Sequence, residues 1–156
     1  DGDSVVFESV AILYYLERTY PEPPLFGLSP EEAGVIMRVI CEYQAYAEPS
    51  LMQIVQEMLY VREPLLNDGT HAAMQRAASE ARTIERRLAQ SDWVVGEHFS
   101  ATDMVIYPDI RLLLRALAVP GAHELASRFL PLEVNYPALG RWLERVAALA
   151  PHLVVD

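Results

Sequence analysis

This sequence predicts a mainly α-helical chain, about five to six helices preceded by one short strand and its helix. Three observations carry that expectation. Most of the chain repeats apolar residues at helical spacing, with a start signal ahead of each run. A single stretch, Val5, Val6 and Phe7, has the β-branched and aromatic character of a strand. The proline-rich segment "YPEPPLFGLS" divides a leading unit (1–24) from a helical one (29–156).

The opening "DGDSVVFES" reads as a tight turn at Asp1-Gly2 running into the strand, since Gly accepts the positive φ such turns need and Asp tolerates it. A hairpin needs a strand before the turn, so the expectation is that a preceding segment is absent from this sequence. In "ESVAILYYLERTYPEPP", Val10, Leu13, Tyr14 and Glu17 stand at helical spacing until Pro21, Pro23 and Pro24 end the run. The next helix starts on Ser29 as N-cap, with Pro30 at its first position and Glu32 as capping-box partner. It is expected to run to about Tyr60, bent at Pro49.

A second long helix, about His71 to Gln90, carries the stripe Ala77, Ala78, Ala81, Ile84 and Leu88 and should pack antiparallel to the first. "SDWVVGEHF" is too short and Gly-broken for a helix, and its Trp93, Val94, Val95 and Phe99 are expected to be buried in a crossing segment. A central helix then opens with Ser100 as N-cap, Asp103 able to return a bond to the cap amide, and Phe99 and Met104 at the staple positions. Its apolar residues cover most of the circumference, which indicates burial. "VPGAHELASRFLP" holds one shorter helix, and "NYPALGRWLERVAALAP" a last one with Leu139, Trp142, Leu143 and Val146 facing the core.

Composition narrows the function classes. With 12 basic against 22 acidic residues the formal charge is −10, a field that repels nucleic acid and anionic lipid. Hydrophobic residues make up 52% of the chain, enough to suggest that a partner or a further domain covers some surface. No apolar run reaches the roughly 20 residues of a membrane span. The lone Cys41 permits no intrachain disulfide, and a reducing, cytoplasmic setting is the simplest reading. His71, His98, His123 and His152 lie in separate segments without metal-ligand spacing, so no metal is expected.

Three stretches carry a family resemblance. "DGDSVVFESVAILYYLERTYP" resembles the end of the thioredoxin-like domain of glutathione transferases. "VVGEHFSATDMVIYP" is similar to the capping motif at the start of that family's sixth helix, with Thr102 where Ala is usual. "NYPALGRWLERV" resembles the Y-P-x-L-x-x-W-x-x-R near the end of many bacterial members. The resemblance implies that the catalytic Ser, Tyr or Cys sits in the absent thioredoxin-like portion, so no catalytic residue is assigned here. It further implies glutathione as co-substrate, a small hydrophobic electrophile as acceptor, and a homodimer joined through the two long helices.

Glu8 and Ser9 carry the strongest functional signal. A chain that ends a strand in Glu-Ser and opens a helix presents free N–H groups, the positive end of the dipole and a hydroxyl, a set suited to a carboxylate. By the resemblance, Ser9 binds the α-carboxylate of the γ-glutamyl end of glutathione and Glu8 helps hold the region near its ammonium. On residue physics alone, Ser9 as a plain N-cap and Glu8 as a first-turn acid is favoured by about two to one, because such caps are common; the ordered family motifs reverse those odds. Ser100 and Asp103 are read as a structural cap and not as a nucleophile and acid, since no histidine completes a triad. Family members place the acceptor pocket beside the fourth and sixth helices, which makes Tyr43, Tyr46, Tyr107 and Arg111 candidate lining residues, against ordinary packing or a solvated face for each. The function implied is attack of the glutathione thiolate on an electrophile. The alternative is a non-catalytic interaction module resembling the stringent starvation proteins or the domain in elongation factor gamma subunits. An unrelated five-helix bundle is a third possibility.

Overall fold

A computed structural model describes residues 2, 5–64 and 66–149. Its helices are α1 (Ser9–Thr19), α2 (Pro30–Glu42), α3 (Glu48–Val55), α4 (Asp68–Leu88), α5 (Ala101–Leu117), α6 (His123–Ala126), α7 (Leu132–Asn135) and α8 (Pro137–Leu149). The fold is the all-helical one expected, with no strand among the described residues. Val5, Val6 and Phe7 are exposed and irregular, because no described residue offers them a ladder partner. Asp1 of the expected turn lies outside the described residues; Gly2 has the positive φ (58°) such a turn uses.

The long helix from Pro30 is continuous to Tyr60, but its bend takes a specific form. α2 and α3 are joined by a π-helical segment, Tyr43–Ala47, and α3 continues into another, Gln56–Tyr60. Pro49 has no N–H to return to Ala45 and its ring crowds that carbonyl. The turn before it widens instead, and the Glu48 N–H reaches back five residues to the Tyr43 carbonyl. At its start, Ser29 Oγ accepts from the Glu32 N–H at 3.2 Å, while Glu32 accepts from the Leu28 N–H, one residue beyond the expected partner.

α4 begins earlier than the apolar spacing indicates. Asn67 and Thr70 form a reciprocal capping box, so the helix starts at Asp68 and ends at Leu88. The main core lies where α3, α4, α5 and α8 meet, around Ile54, Met74, Ala77, Ile106, Leu113, Leu139 and Trp142. Met104 on α5 is 39% exposed, so this helix is central without being wrapped on all sides. The crossing segment buries only Val94 fully; Trp93, Val95 and Phe99 are half-buried at its edge. The single short helix expected after α5 is two four-residue helices, α6 and α7. Ahead of α8, Tyr136 is fully buried, stacked on Phe129 at 4.6 Å and donating to the Ala78 carbonyl at 3.1 Å. Glu85 of α4 accepts from the Ala138 and Leu139 N–H groups at 2.9 and 2.8 Å, which caps α8 from another helix.

One buried carboxylate joins three parts of the fold. Asp103 accepts from the Ser100 N–H (2.9 Å) and hydroxyl (3.0 Å), from the Val94 N–H (3.1 Å) and from the Trp142 indole N–H (2.8 Å). The capping box foreseen at the start of α5 is therefore also the tie between the crossing segment and α8. Burial pushes the Asp103 carboxyl above the usual range, against these donors, which favour its charged form.

Candidate functional site

α1 is held by a second, smaller core. Phe26, Ile36, Ile40 and Ala101 are buried together, with Val10, Leu13, Leu25 and Val105 packed against them, and Tyr14 meets Phe26 edge-on at 5.7 Å. Glu17 accepts from the backbone N–H groups of Leu25 and Phe26, and the Leu25 carbonyl accepts from the Ala101 N–H at 2.8 Å. The connecting segment is thus pinned to α1 on one side and to the start of α5 on the other. This fixes the N-terminus of α1 over the exposed face of α5.

At that N-terminus the backbone is strained. Glu8 has φ 71° and ψ 122°, the sole positive φ of a non-glycine among the described residues. Such a conformation costs about 1–3 kcal/mol and collects at ligand-binding positions. Glu8, and not Ser9, occupies the cap position, and it makes no side-chain cap bond; Ser9 is the first helical residue, and the first turn has no acid. The bland reading of Ser9 as N-cap and Glu8 as first-turn acid does not match this geometry. Among the described residues no side chain caps the first-turn N–H groups of this 11-residue helix, which lie beside an exposed serine hydroxyl.

Ser9 opens onto a cleft of about 390 Å³. Ile12 and Leu13 of α1 and Met104, Val105 and Pro108 of α5 give it an apolar wall; Gln44, Glu48 and Asp109 line the remainder. The π-helical turn brings Gln44 and Glu48 to this cleft. It also buries Tyr43 behind it, where the phenol donates to Asp109 Oδ2 at 3.0 Å. Burial and the neighbouring Asp109 hold the Tyr43 hydroxyl far above its ordinary range, so it remains a donor. Burial pushes Asp109 up to about 6; the Tyr43 bond opposes that rise and Glu48 adds to it.

Two carboxylates of the cleft, Glu48 and Asp109, were not among the candidates read from sequence. The four aromatic and basic candidates do not share one cavity. Tyr43 supports Asp109 from within the wall. Tyr46 lies with Tyr43 in a different groove, of about 180 Å³, between α2 and α4. Tyr107 packs edge-on against Trp142 at 5.9 Å, and Arg111 is half-buried on α5 and lines neither cavity. Glu48 follows a helical apolar run and precedes a proline, and nothing local announces that a widened turn will aim it at α5.

Asp109 has a consequence for stability. Its folded pKa lies above the value near 3.9 of an unfolded chain, so between about pH 4 and 6 the folded state binds more protons and stability falls as pH rises. Allowing for partial exposure, Asp109→Asn is expected to stabilise the protein by about 1 kcal/mol at pH 7 and by nothing at pH 4. Urea unfolding at the two pH values checks this.

The family model for the glutathione S-transferase C-terminal domain matches residues 45–145. The chain belongs to the glutathione S-transferase family. It is similar to maleylacetoacetate isomerase of Pseudomonas aeruginosa, 23% identical over 142 residues that cover 88% of this chain and 65% of that protein. It is 27% identical over 144 residues to glutathione S-transferase Z1 of Arabidopsis thaliana, covering 92% of this chain and 60% of the relative. Among solved structures, glutathione transferase URE2P8 of Phanerochaete chrysosporium with oxidized glutathione superimposes with TM-score 0.72 at 19% identity, over 93% of this chain and 61% of the other. The chain therefore spans less than two thirds of the length of these relatives. Among the described residues no group of His, Cys, Asp and Glu could hold a metal, and no helix is long and apolar enough to cross a membrane.

Proposed function

We propose that this chain is the helical part, with the γ-glutamyl-binding end, of a glutathione transferase that joins the glutathione thiol to an electrophile. The observation that carries the proposal is the uncapped N-terminus of α1, with Ser9 in its first turn and a strained Glu8 before it, opening onto a cleft. In this reading the Ser9 hydroxyl and first-turn N–H groups bind the α-carboxylate of glutathione, and Glu8 holds the region near its ammonium. The apolar wall of the cleft takes the electrophile. The residue that activates the thiol lies outside this chain, in the portion of the family's length it does not span. That residue's hydrogen bond lowers the thiol pKa, and the thiolate then attacks the acceptor. The protein acts in the cytoplasm, in detoxification, as a homodimer built through α2, its continuation α3, and α4, and it uses no metal.

The test is calorimetry on the whole protein. Ser9→Ala should weaken glutathione binding by about 1–3 kcal/mol, the worth of a hydrogen bond to a charged group. Equal affinities would reduce Ser9 to a structural residue. Absence of binding in both proteins would favour the non-catalytic interaction module. The isolated chain is expected to bind glutathione weakly or not at all and to show no transfer activity, because one end of the ligand alone is gripped.

A further inference from the structure

We infer that the cleft selects acceptors by charge, with Asp109 and Glu48 favouring a small apolar molecule that carries a cationic or strongly hydrogen-bond-donating group over a neutral or anionic one. The inference rests on reading this cleft as the acceptor site, and it concerns which acceptors that site admits.

Asp109 is held in place, since the buried Tyr43 hydroxyl donates to its Oδ2 at 3.0 Å, and the residue lines the cleft. Glu48 lies on the facing helix, near enough to disfavour the charge on Asp109. Among the described residues no ion pair engages either carboxylate: those present join Arg38 and Arg87 to Glu42, Arg145 to Asp92 and His71 to Glu124. Two like charges facing one low-dielectric space raise each other's free energy. A cation placed between them relieves that repulsion and gains both attractions, whereas a carboxylate adds a third like charge. Of the lining only the Ser9 end suits an anion, and in this reading the glutathione carboxylate takes it; Ile12, Met104, Val105 and Pro108 offer a good surface to an aromatic or alkyl body. The combination suits a molecule with an apolar body and one positive end.

Three probes of one shape separate the possibilities: 1-naphthylmethylammonium, 1-naphthalenemethanol and 1-naphthoate, titrated into the whole protein at pH 7.5 with saturating glutathione, so that the Ser9 end of the cleft is filled. Methyl resonances of ¹³C-labelled methionine, with Met104 assigned by substitution, report whether the probe sits in this cleft. The expected result is ammonium binding about tenfold or more tighter than the alcohol, with the naphthoate weakest and the Met104 signal shifted, as for one desolvated charge contact. Asp109→Asn and Glu48→Gln should each cut the ammonium preference to about threefold or less, and Asp109→Asn keeps an acceptor for Tyr43 and so keeps the fold. A flat ranking, a preference that survives both variants, or binding that leaves Met104 unmoved would each overturn the inference. So would variants that weaken glutathione itself while leaving the probe ranking intact, since the acids would then serve the ammonium of that ligand. Failure of the glutathione reading shows separately, in the Ser9→Ala comparison, which the probe titrations do not involve.

Discussion

Asp103→Ala is expected to cost about 3–5 kcal/mol of folding stability, a loss of roughly 10 °C in Tm for a chain of this size. The side chain is fully buried and accepts four hydrogen bonds. Truncation leaves the Val94 amide, the Ser100 amide and hydroxyl and the Trp142 indole N–H without their acceptor in a dry interior. Each such group is costly to abandon, whereas the net worth of each bond in the intact protein is modest. Ser100→Ala removes one of these donors and the cap acceptor of the Asp103 N–H, which still reaches the Ser100 carbonyl, and should cost only about 0.5–2 kcal/mol. Denaturant unfolding of the two variants in the whole protein checks the ranking. Should Asp103→Ala keep its stability and lose turnover instead, its role would be chemical and the structural account would be wrong.

Gly27→Ala should be nearly as damaging, at about 2–4 kcal/mol, although it adds a single methyl to a half-buried connecting segment. Gly27 has φ 82°, a conformation that L-residues resist. A Cβ there would sit 2.6 Å from Glu32 Cβ and 2.9 Å from Glu32 Oε2. Glu32 Cβ belongs to the first turn of α2 and cannot swing aside. The carboxylate that would have to leave accepts from the Leu28 N–H. The same segment carries the backbone groups that tie α1 to α5, so the strain should reach the α1 N-terminus. Thermal melts of the variant would test the first effect. A glutathione titration of the whole protein would test the second, with weakened binding expected.

Caps, periodicity and prolines are local features, and they were legible. Ser29, Ser100 and Pro137 mark helix starts whatever the rest of the chain does, because a cap satisfies the N–H groups of its own first turn. α4 was misplaced by three residues because its cap is Asn67 with Thr70 at the third helical position, a weaker written signal than Ser with Glu. The strand expected at Val5 to Phe7 shows the converse: β-propensity describes how a residue fits a sheet, and it has no effect where no described residue supplies one. The Glu-Ser pair at the start of α1 was legible as a candidate, but its uncapped, strained backbone was not, since a positive φ at a non-glycine residue has no signature in the letters themselves.

The amino-acid order thus settles the helical class, the sites where most helices begin, the proline-rich stretch that ends α1 and the motifs that carry the family resemblance, since all of these depend on residues near one another in the chain. The contents of the cleft depend on residues far apart. Tyr43 and Asp109 are separated by 66 positions and meet because Pro49 forces a widened turn that rotates one helix face toward α5. Tyr46 and Tyr107, equally plausible as letters, end in a different groove and against Trp142. A shift of one residue in a helix moves a side chain by about 100° around its axis, so the choice of which tyrosine supports the site and which packs the core is made by the tertiary geometry.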